Sequence, residues 1–204
     1  MTDFNEISKS KLHRSYYLSD DVVTLAHDLI GKVVVTNING HLCRAMIVET
    51  EAYRGLNDKA CHANNGKRTP RNEIMYAEGG HAYVYLCYGI HHLFNVVTNV
   101  KDRADAVLIR ALHPIEGLVA MTDRLPKKRK LLLNGPGVLT KAMGIRTNMS
   151  GMDLLGNEIW LENGVAVKSN EITVSKRVGV EYAEEDADLL WRFYITDDPN
   201  ISVR

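Results

Sequence analysis

The sequence predicts an α+β protein: a single mixed domain with a curved, largely antiparallel sheet surrounded by short helices. Three observations carry that expectation. Strand-like segments outnumber helical ones, successive strands are joined by tight turn signals rather than long crossovers, and 204 residues suit one core of ordinary size. The whole span 1–204 reads as this domain, with residues 1–18 an irregular N-terminal arm.

Ser19-Asp20 caps an amphipathic helix running to about Ile30, and Gly31 stands where such a helix stops. Lys32 to Thr36 reads as a strand, Asn37 to Gly40 as a turn, and His41 to Tyr53 as a long returning strand. The stretch from Arg54 to Asn65 is polar and irregular, a surface loop. Thr69-Pro70 is a helix-start signal, a capping hydroxyl followed by proline at the first helical position. Gly79-Gly80 releases a strand from His81 to Cys87, a tight turn follows at Tyr88-Gly89, and a strand returns from His92 to Thr98. Ala106 to Leu112 is a further apolar strand, and Pro114 to Asp123 reads as a helix. Residues 134–144 give a short helix with a glycine-rich entry and Gly144 as its stop. Short strands are expected at Glu158–Leu161, Val165–Lys168, Ile172–Ser175 and Arg192–Ile195, with an acidic helix over about Ala183–Leu190.

Composition narrows the function classes. With 45% hydrophobic and 25% charged residues the chain is globular rather than disordered. No apolar run approaches the roughly 18 residues of a membrane span, and the N-terminus lacks the apolar stretch of a signal peptide. Three sparse cysteines, Cys43, Cys61 and Cys87, argue for a reducing compartment and against a disulfide framework. Lys plus Arg balances Asp plus Glu at 25 each. A neutral total still permits a polyanion partner, because local field does the steering. Positive charge gathers in Lys67-Arg68-Thr69-Pro70-Arg71 and Lys127-Lys128-Arg129-Lys130, and acidic residues crowd from Glu181 to Asp188.

Four constellations could carry chemistry. In Glu49-Thr50-Glu51-Ala52-Tyr53, strand alternation puts both carboxylates and the ring on one face. Such a face is either exposed at a sheet edge, or buried and then paired or used. Tyr83 and Tyr85 share a strand face, where cross-strand packing is the plain reading. Tyr88 falls at the turn, where packing explains a ring less well than a wedge that fills a gap in a base stack. Asn95 lies inside the apolar run Leu93 to Val97, where its amide needs partners, structural or ligand. Arg110, in the middle of an apolar strand, calls for an anion, and Glu51 is the natural one. His62, with His81, His91 and His92 beyond it, brings zinc to mind. However, the chain has no Cys-x-x-Cys, no His-Glu-x-x-His and no deaminase-type pattern, so no metal or other cofactor is expected.

Together these segments resemble one family. The strings VETEAYRG, DKACHA, KRTPRNEIMY, GGHAYVYLCYGIHHLFNVVT and AVLIRALHPIEG, continued by NGPGVLTKAMGI, SKRVGV and RFYITDDPNIS, are similar to the alkyladenine (3-methyladenine) DNA glycosylases from about Ala26 to Ser202. The resemblance implies a repair enzyme that flips alkylated or deaminated purines out of double-stranded DNA and hydrolyses the N-glycosidic bond. Glu51 matches the carboxylate that activates water, and Arg110 and the Val178 carbonyl match groups that help hold that water. Tyr53, His62 and Tyr85 match the base-pocket walls, and Asn95 the group that crowds guanine's exocyclic amine. Tyr88 matches the intercalating wedge. No matched lysine offers a Schiff base, so a monofunctional enzyme without strand cleavage is expected, acting as a monomer at a bacterial nucleoid in the cytoplasm.

Two alternatives share the sequence. A non-catalytic damage reader would keep pocket and wedge but has no need of both Glu51 and Arg110. A sugar- or nucleotide-binding enzyme on a related fold would leave Tyr88 without a purpose. The basic string at 126–130 resembles a nuclear address but reads better as a solvated or phosphate-contacting loop, and Asn134-Gly135-Pro136-Gly137-Val138 lacks the paired helices of helix–hairpin–helix enzymes.

Overall fold

The computed structural model describes residues 8–127 and 130–203. The start of the proposed arm, and Lys128 and Arg129 of the basic string, lie outside the described residues. The helices are α1 (Arg14–Tyr17), α2 (Val22–Asp28), α3 (Leu118–Asp123) and α4 (Pro136–Met143). The strands are β1 (Val33–Ile38), β2 (His41–Tyr53), β3 (Ala82–Cys87), β4 (His91–Thr98), β5 (Asp105–Glu116), β6 (Leu133–Asn134), β7 (Ile159–Glu162), β8 (Ile172–Ser175) and β9 (Arg192–Ile195). They form one sheet with the central order β3-β4-β5-β2-β1-β7, and every pairing is antiparallel. The expected α+β architecture is the observed one.

β2 organises the sheet because it is long enough to serve three neighbours. β5 lies along one edge, while β1 and then β9 share the other, β9 pairing with Glu49 to Glu51. The β1–β2 turn is Asn39-Gly40, both at positive φ, as a two-residue turn matched to strand twist requires. The sheet has two different faces. On one, Val84, Phe94, Val96, Val107, Ile109 and Ile47 pack against α2, α3 and α4 in the main core. On the other, Tyr83, Val97 and Ala106 meet Cys61, Ala63, Met75 and Tyr76, contributed by the loop between β2 and β3. Thr50 faces the helical side, its hydroxyl donating to the Ala26 carbonyl of α2 at 2.7 Å.

Several sequence expectations need correction. Asp21, one residue later than expected, caps α2 by accepting from the Val23 and Thr24 amides. The arm is not wholly irregular, since Arg14–Tyr17 is helical and Tyr17 is fully buried. Pro114 does not begin a helix: β5 runs on to Glu116, Pro114 opposite Ala45, and Gly117 in the left-handed region separates it from α3. Thr69-Pro70 starts no α-helix; Asn72 accepts from the Thr69 amide and hydroxyl, and a single 3-10 turn follows over Glu73–Tyr76. Val165–Lys168 forms no strand; the Val165 amide instead donates to the Gly31 carbonyl. The acidic segment Glu181–Asp188 is two 3-10 turns broken at Glu184, whose φ is +55. Its carboxylates face Lys59 across from the 54–62 loop, and these tertiary contacts override helix propensity.

Candidate active site

Two compensating irregularities build the centre of the site. Between β2 and β5 the register runs Ile47↔Leu112, Glu49↔Ala111, Thr50↔Ile109, which leaves Val48 and Arg110 each without an opposite residue. Such bulges re-aim side chains. Val48 and Ala111 join the cluster with Met46 on the face away from the helices, while Ile47 and Ile109 stay in the main core. Arg110 is thereby delivered to the face that carries Glu49 and Glu51. Its Nε donates to Glu49 at 3.1 Å and its Nη1 to Glu51 at 3.3 Å.

Both glutamates are fully buried, and each is satisfied differently. Glu49 accepts from Arg110, from Arg192 Nε at 2.7 Å, and from the Ser202 amide and hydroxyl at 2.7 and 2.8 Å. Glu51 accepts from Arg110, from the Tyr53 hydroxyl at 2.8 Å and from the Val178 amide at 2.7 Å. Burial, then the neighbouring Glu51, pushes the Tyr53 phenol well above its ordinary pKa, so it remains a donor. Burial disfavours the Arg110 charge, but Glu51 and Glu49 more than offset this and its pKa is raised. Arg110 is cationic at any working pH.

Beyond Glu51 the face is aromatic. Tyr85 and His62 meet edge to face at 4.7 Å between centroids, and Tyr83 lies 5.3 Å from Tyr85. His62 Nδ1 is 2.9 Å from the Tyr83 hydroxyl. Burial, then the nearby Arg71 and Lys67 cations, lowers the His62 pKa to about 4, so the ring is neutral near pH 7. Arg71 also lies 4.9 Å over the Tyr85 ring. Asn95 stands directly across from Tyr83 in the β3–β4 ladder, and its Nδ2 donates to the Tyr83 carbonyl at 3.1 Å.

The β3–β4 hairpin ends in Tyr88 and Gly89, both at positive φ, and Tyr88 is 91% exposed. A tyrosine held in the left-handed region with its ring in solvent contributes nothing to folding, and such outliers gather at functional sites. Ile90 beside it is 70% exposed.

The structure thus brings Glu51, Tyr53, Arg110 and Val178 into direct contact, and His62 to Tyr85, with Asn95 one strand away and Tyr88 at the hairpin tip. The sequence marks Glu49 only as a same-face carboxylate and Tyr83 only as strand packing, and gives no role to Asp58, Arg177, Arg192 or Ser202, yet all six buttress these groups. Glu49 and Arg192 did carry a signal, a charge at the inward position of an apolar strand. Asp58, Arg177 and Ser202 sit in loops with no period to betray them. Among the described residues no group of three or more His, Cys, Asp or Glu side chains could hold a metal ion, all three cysteines are free, and no helix is long and apolar enough to cross a membrane.

Comparison with known proteins identifies the family. The model of the methylpurine-DNA glycosylase family matches residues 16–199. A protein of Natranaerobius thermophilus is 48% identical over 92% of this chain and 96% of its own length. One from Clostridium acetobutylicum is 47% identical over 95% and 98%, and one from Borrelia garinii 44% identical over 93% and 98%. All three are provisionally named 3-methyladenine DNA glycosylases. With a family model spanning nearly the whole chain and near-half identity to full-length relatives, the chain belongs to the methylpurine-DNA glycosylase family and is a DNA repair glycosylase.

Proposed function

We propose that this protein flips an alkylated or deaminated purine out of duplex DNA and hydrolyses its N-glycosidic bond with a water activated by Glu51, leaving an abasic site. The observation that carries this reading is a fully buried carboxylate bonded to Tyr53, on the face that carries the packed rings of His62 and Tyr85, with a hairpin-tip tyrosine 91% exposed.

In this reading Glu51 takes a proton from the water as its oxygen attacks C1′ of the sugar. The C1′–N9 bond breaks and its electron pair leaves with the base. A purine alkylated at N3 or N7 is cationic and departs neutral, so one carboxylate suffices where ordinary glycoside hydrolysis uses two, whereas neutral hypoxanthine must also gain a proton as it leaves. Arg110 and the Val178 carbonyl hold the water; Arg110 lies against Glu51, and the Val178 amide already binds it. The damaged base stacks between Tyr53 on one side and His62 with Tyr85 on the other, a contact strengthened when the base is cationic. Neutral His62 carries one ring proton, and in the tautomer in which the Tyr83 hydroxyl donates to Nδ1, Nε2–H is left to donate to the base edge. Asn95, fixed by the Tyr83 carbonyl, crowds the exocyclic amine of guanine. Tyr88 fills the space left in the stack. Extrusion costs a few kcal/mol, less for a damaged base. Stacking of an aromatic residue contributes about 1–3 kcal/mol per base in single-strand binders, enough to offset much of that.

The protein acts as a monomer in the cytoplasm and is monofunctional. The test is release of free base from duplexes carrying one hypoxanthine, ethenoadenine or 3-methyladenine analogue, with borohydride present. Base release with no trapped enzyme–DNA adduct supports the reading. Lesion binding without release favours the non-catalytic reader, and a trapped adduct overturns the monofunctional mechanism.

A further inference from the structure

We infer that Asp58 and Arg177 form a positioning clamp that aims Glu51, a role resting on the reading of Glu51 as the water-activating group. Arg177 grips Asp58 with two hydrogen bonds, Nη1 to Oδ2 at 2.7 Å and Nη2 to Oδ1 at 2.8 Å, and neither side chain has any exposed surface. Asp58 is saturated by two further donors, the Arg54 and Ala60 amides at 3.1 and 3.0 Å. Arg177 also reaches the Ala52 carbonyl at 3.0 Å and the Asp186 carbonyl at 3.1 Å. The guanidinium therefore joins three segments: the end of β2, the loop after it, and the segment before β9.

Its location decides its effect. Val178, the next residue after Arg177, supplies the amide bonded to Glu51 Oε1. Ala52, whose carbonyl Arg177 holds, lies between Glu51 and Tyr53. The guanidinium stacks 4.9 Å from the Tyr53 ring, and the Tyr53 hydroxyl supplies the donor to Glu51 Oε2. One side chain thus fixes two of the three donors to Glu51, one through the chain and one by stacking on a ring. A structural ion pair alone has no need of this alignment. The buried pair Arg44–Glu162, on β2 and β7, has no part in the Glu51 cluster. The Val178 N–H belongs to the peptide that joins it to Arg177, so anchoring Arg177 bears directly on its aim. Catalytic geometry is sensitive to such support, since misplacement by about 1 Å can cost on the order of a hundredfold in rate.

The experiment compares single-turnover base release and lesion-duplex affinity for the wild type, Arg177→Lys, the charge-neutral exchange Asp58→Asn/Arg177→Met, and Glu51→Gln, with circular dichroism and melting for each. The double exchange leaves no buried unpaired charge, and Arg177→Lys keeps the charge but loses the two-pronged grip. The clamp predicts release slowed about 30- to 100-fold in both variants, with affinity for the lesion duplex within about threefold of wild type. It also predicts that adding Arg177→Lys to Glu51→Gln slows release no further, because both act through one carboxylate. Wild-type release in the folded Arg177→Lys variant overturns the clamp, as does a loss of affinity parallel to the loss of rate. A full additional loss in the Glu51→Gln background overturns it too. If Glu51→Gln itself releases base at the wild-type rate, the reading of Glu51 fails instead, and the two failures are distinguishable.

Discussion

Glu49 and Glu51 stand two residues apart on one strand face, both fully buried, yet their surroundings differ in kind. Glu49 is closed in by Arg110 and Arg192 and by both the amide and hydroxyl of Ser202, from β5, β9 and the C-terminal segment. Glu51 shares Arg110 but otherwise meets the Tyr53 phenol, on the aromatic side of the face, and a loop amide. Burial of a charge is therefore no guide to function by itself; the two carboxylates differ in the groups they meet. Arg110 is shared between Glu49 and Glu51, and Glu51 alone is bonded to Tyr53, on the aromatic side of the face.

The largest expected effect falls on the closed member. Glu49→Ala leaves Arg110 and Arg192 buried without their shared anion and should destabilise the fold by about 3–5 kcal/mol, read by urea or thermal melting. A loss below about 1 kcal/mol would erase the contrast. Next, Tyr53→Phe removes one donor from Glu51 but keeps the stacking ring. A hydrogen bond to a charged group is worth about 1.5–3 kcal/mol, so release should slow by roughly 10- to 150-fold at nearly constant affinity. Tyr88→Ser lies outside both clusters and, with its ring in solvent, should leave melting unchanged while weakening lesion-duplex binding by about 1–3 kcal/mol. Unchanged affinity would remove the wedge from the account.

A further effect is a pH dependence. His62 has a folded-state pKa of about 4, against about 6.5 for a free side chain. Between those values the unfolded chain binds more protons, so the stability from neutral His62 is complete above about pH 6.5 and is lost as pH falls toward 4. His62→Gln should flatten that slope in melts at pH 7, 5.5 and 4.5. An unaltered slope would mean that His62 is charged in the folded protein.

Much of this was legible in the sequence where a periodic strand carried it. The span His41–Tyr53 was read to the residue, and Arg192–Ile195 and Ile172–Ser175 likewise. Alternation put Glu49, Glu51 and Tyr53 on one face, and Arg110 demanded an anion before any contact was known. What stayed hidden depends on contacts distant in the chain. The bulges at Val48 and Arg110 leave no local mark, the Asp58–Arg177 pair spans 119 residues, and the helix expected over about Ala183–Leu190 gives way to 3-10 turns whose partners lie on the distant 54–62 loop. Pro114 misled because proline at a helix start and proline in a strand near its end read alike from local sequence.

The most direct test sets the two glutamates side by side: single-turnover release of base from a hypoxanthine duplex, and thermal stability, for Glu49→Gln and Glu51→Gln. The account predicts that Glu51→Gln binds the duplex but slows release by about a thousandfold, within the range for loss of a general base. It predicts that Glu49→Gln is the less stable of the two yet releases base faster than Glu51→Gln. Release from Glu51→Gln at the wild-type rate would contradict the central claim.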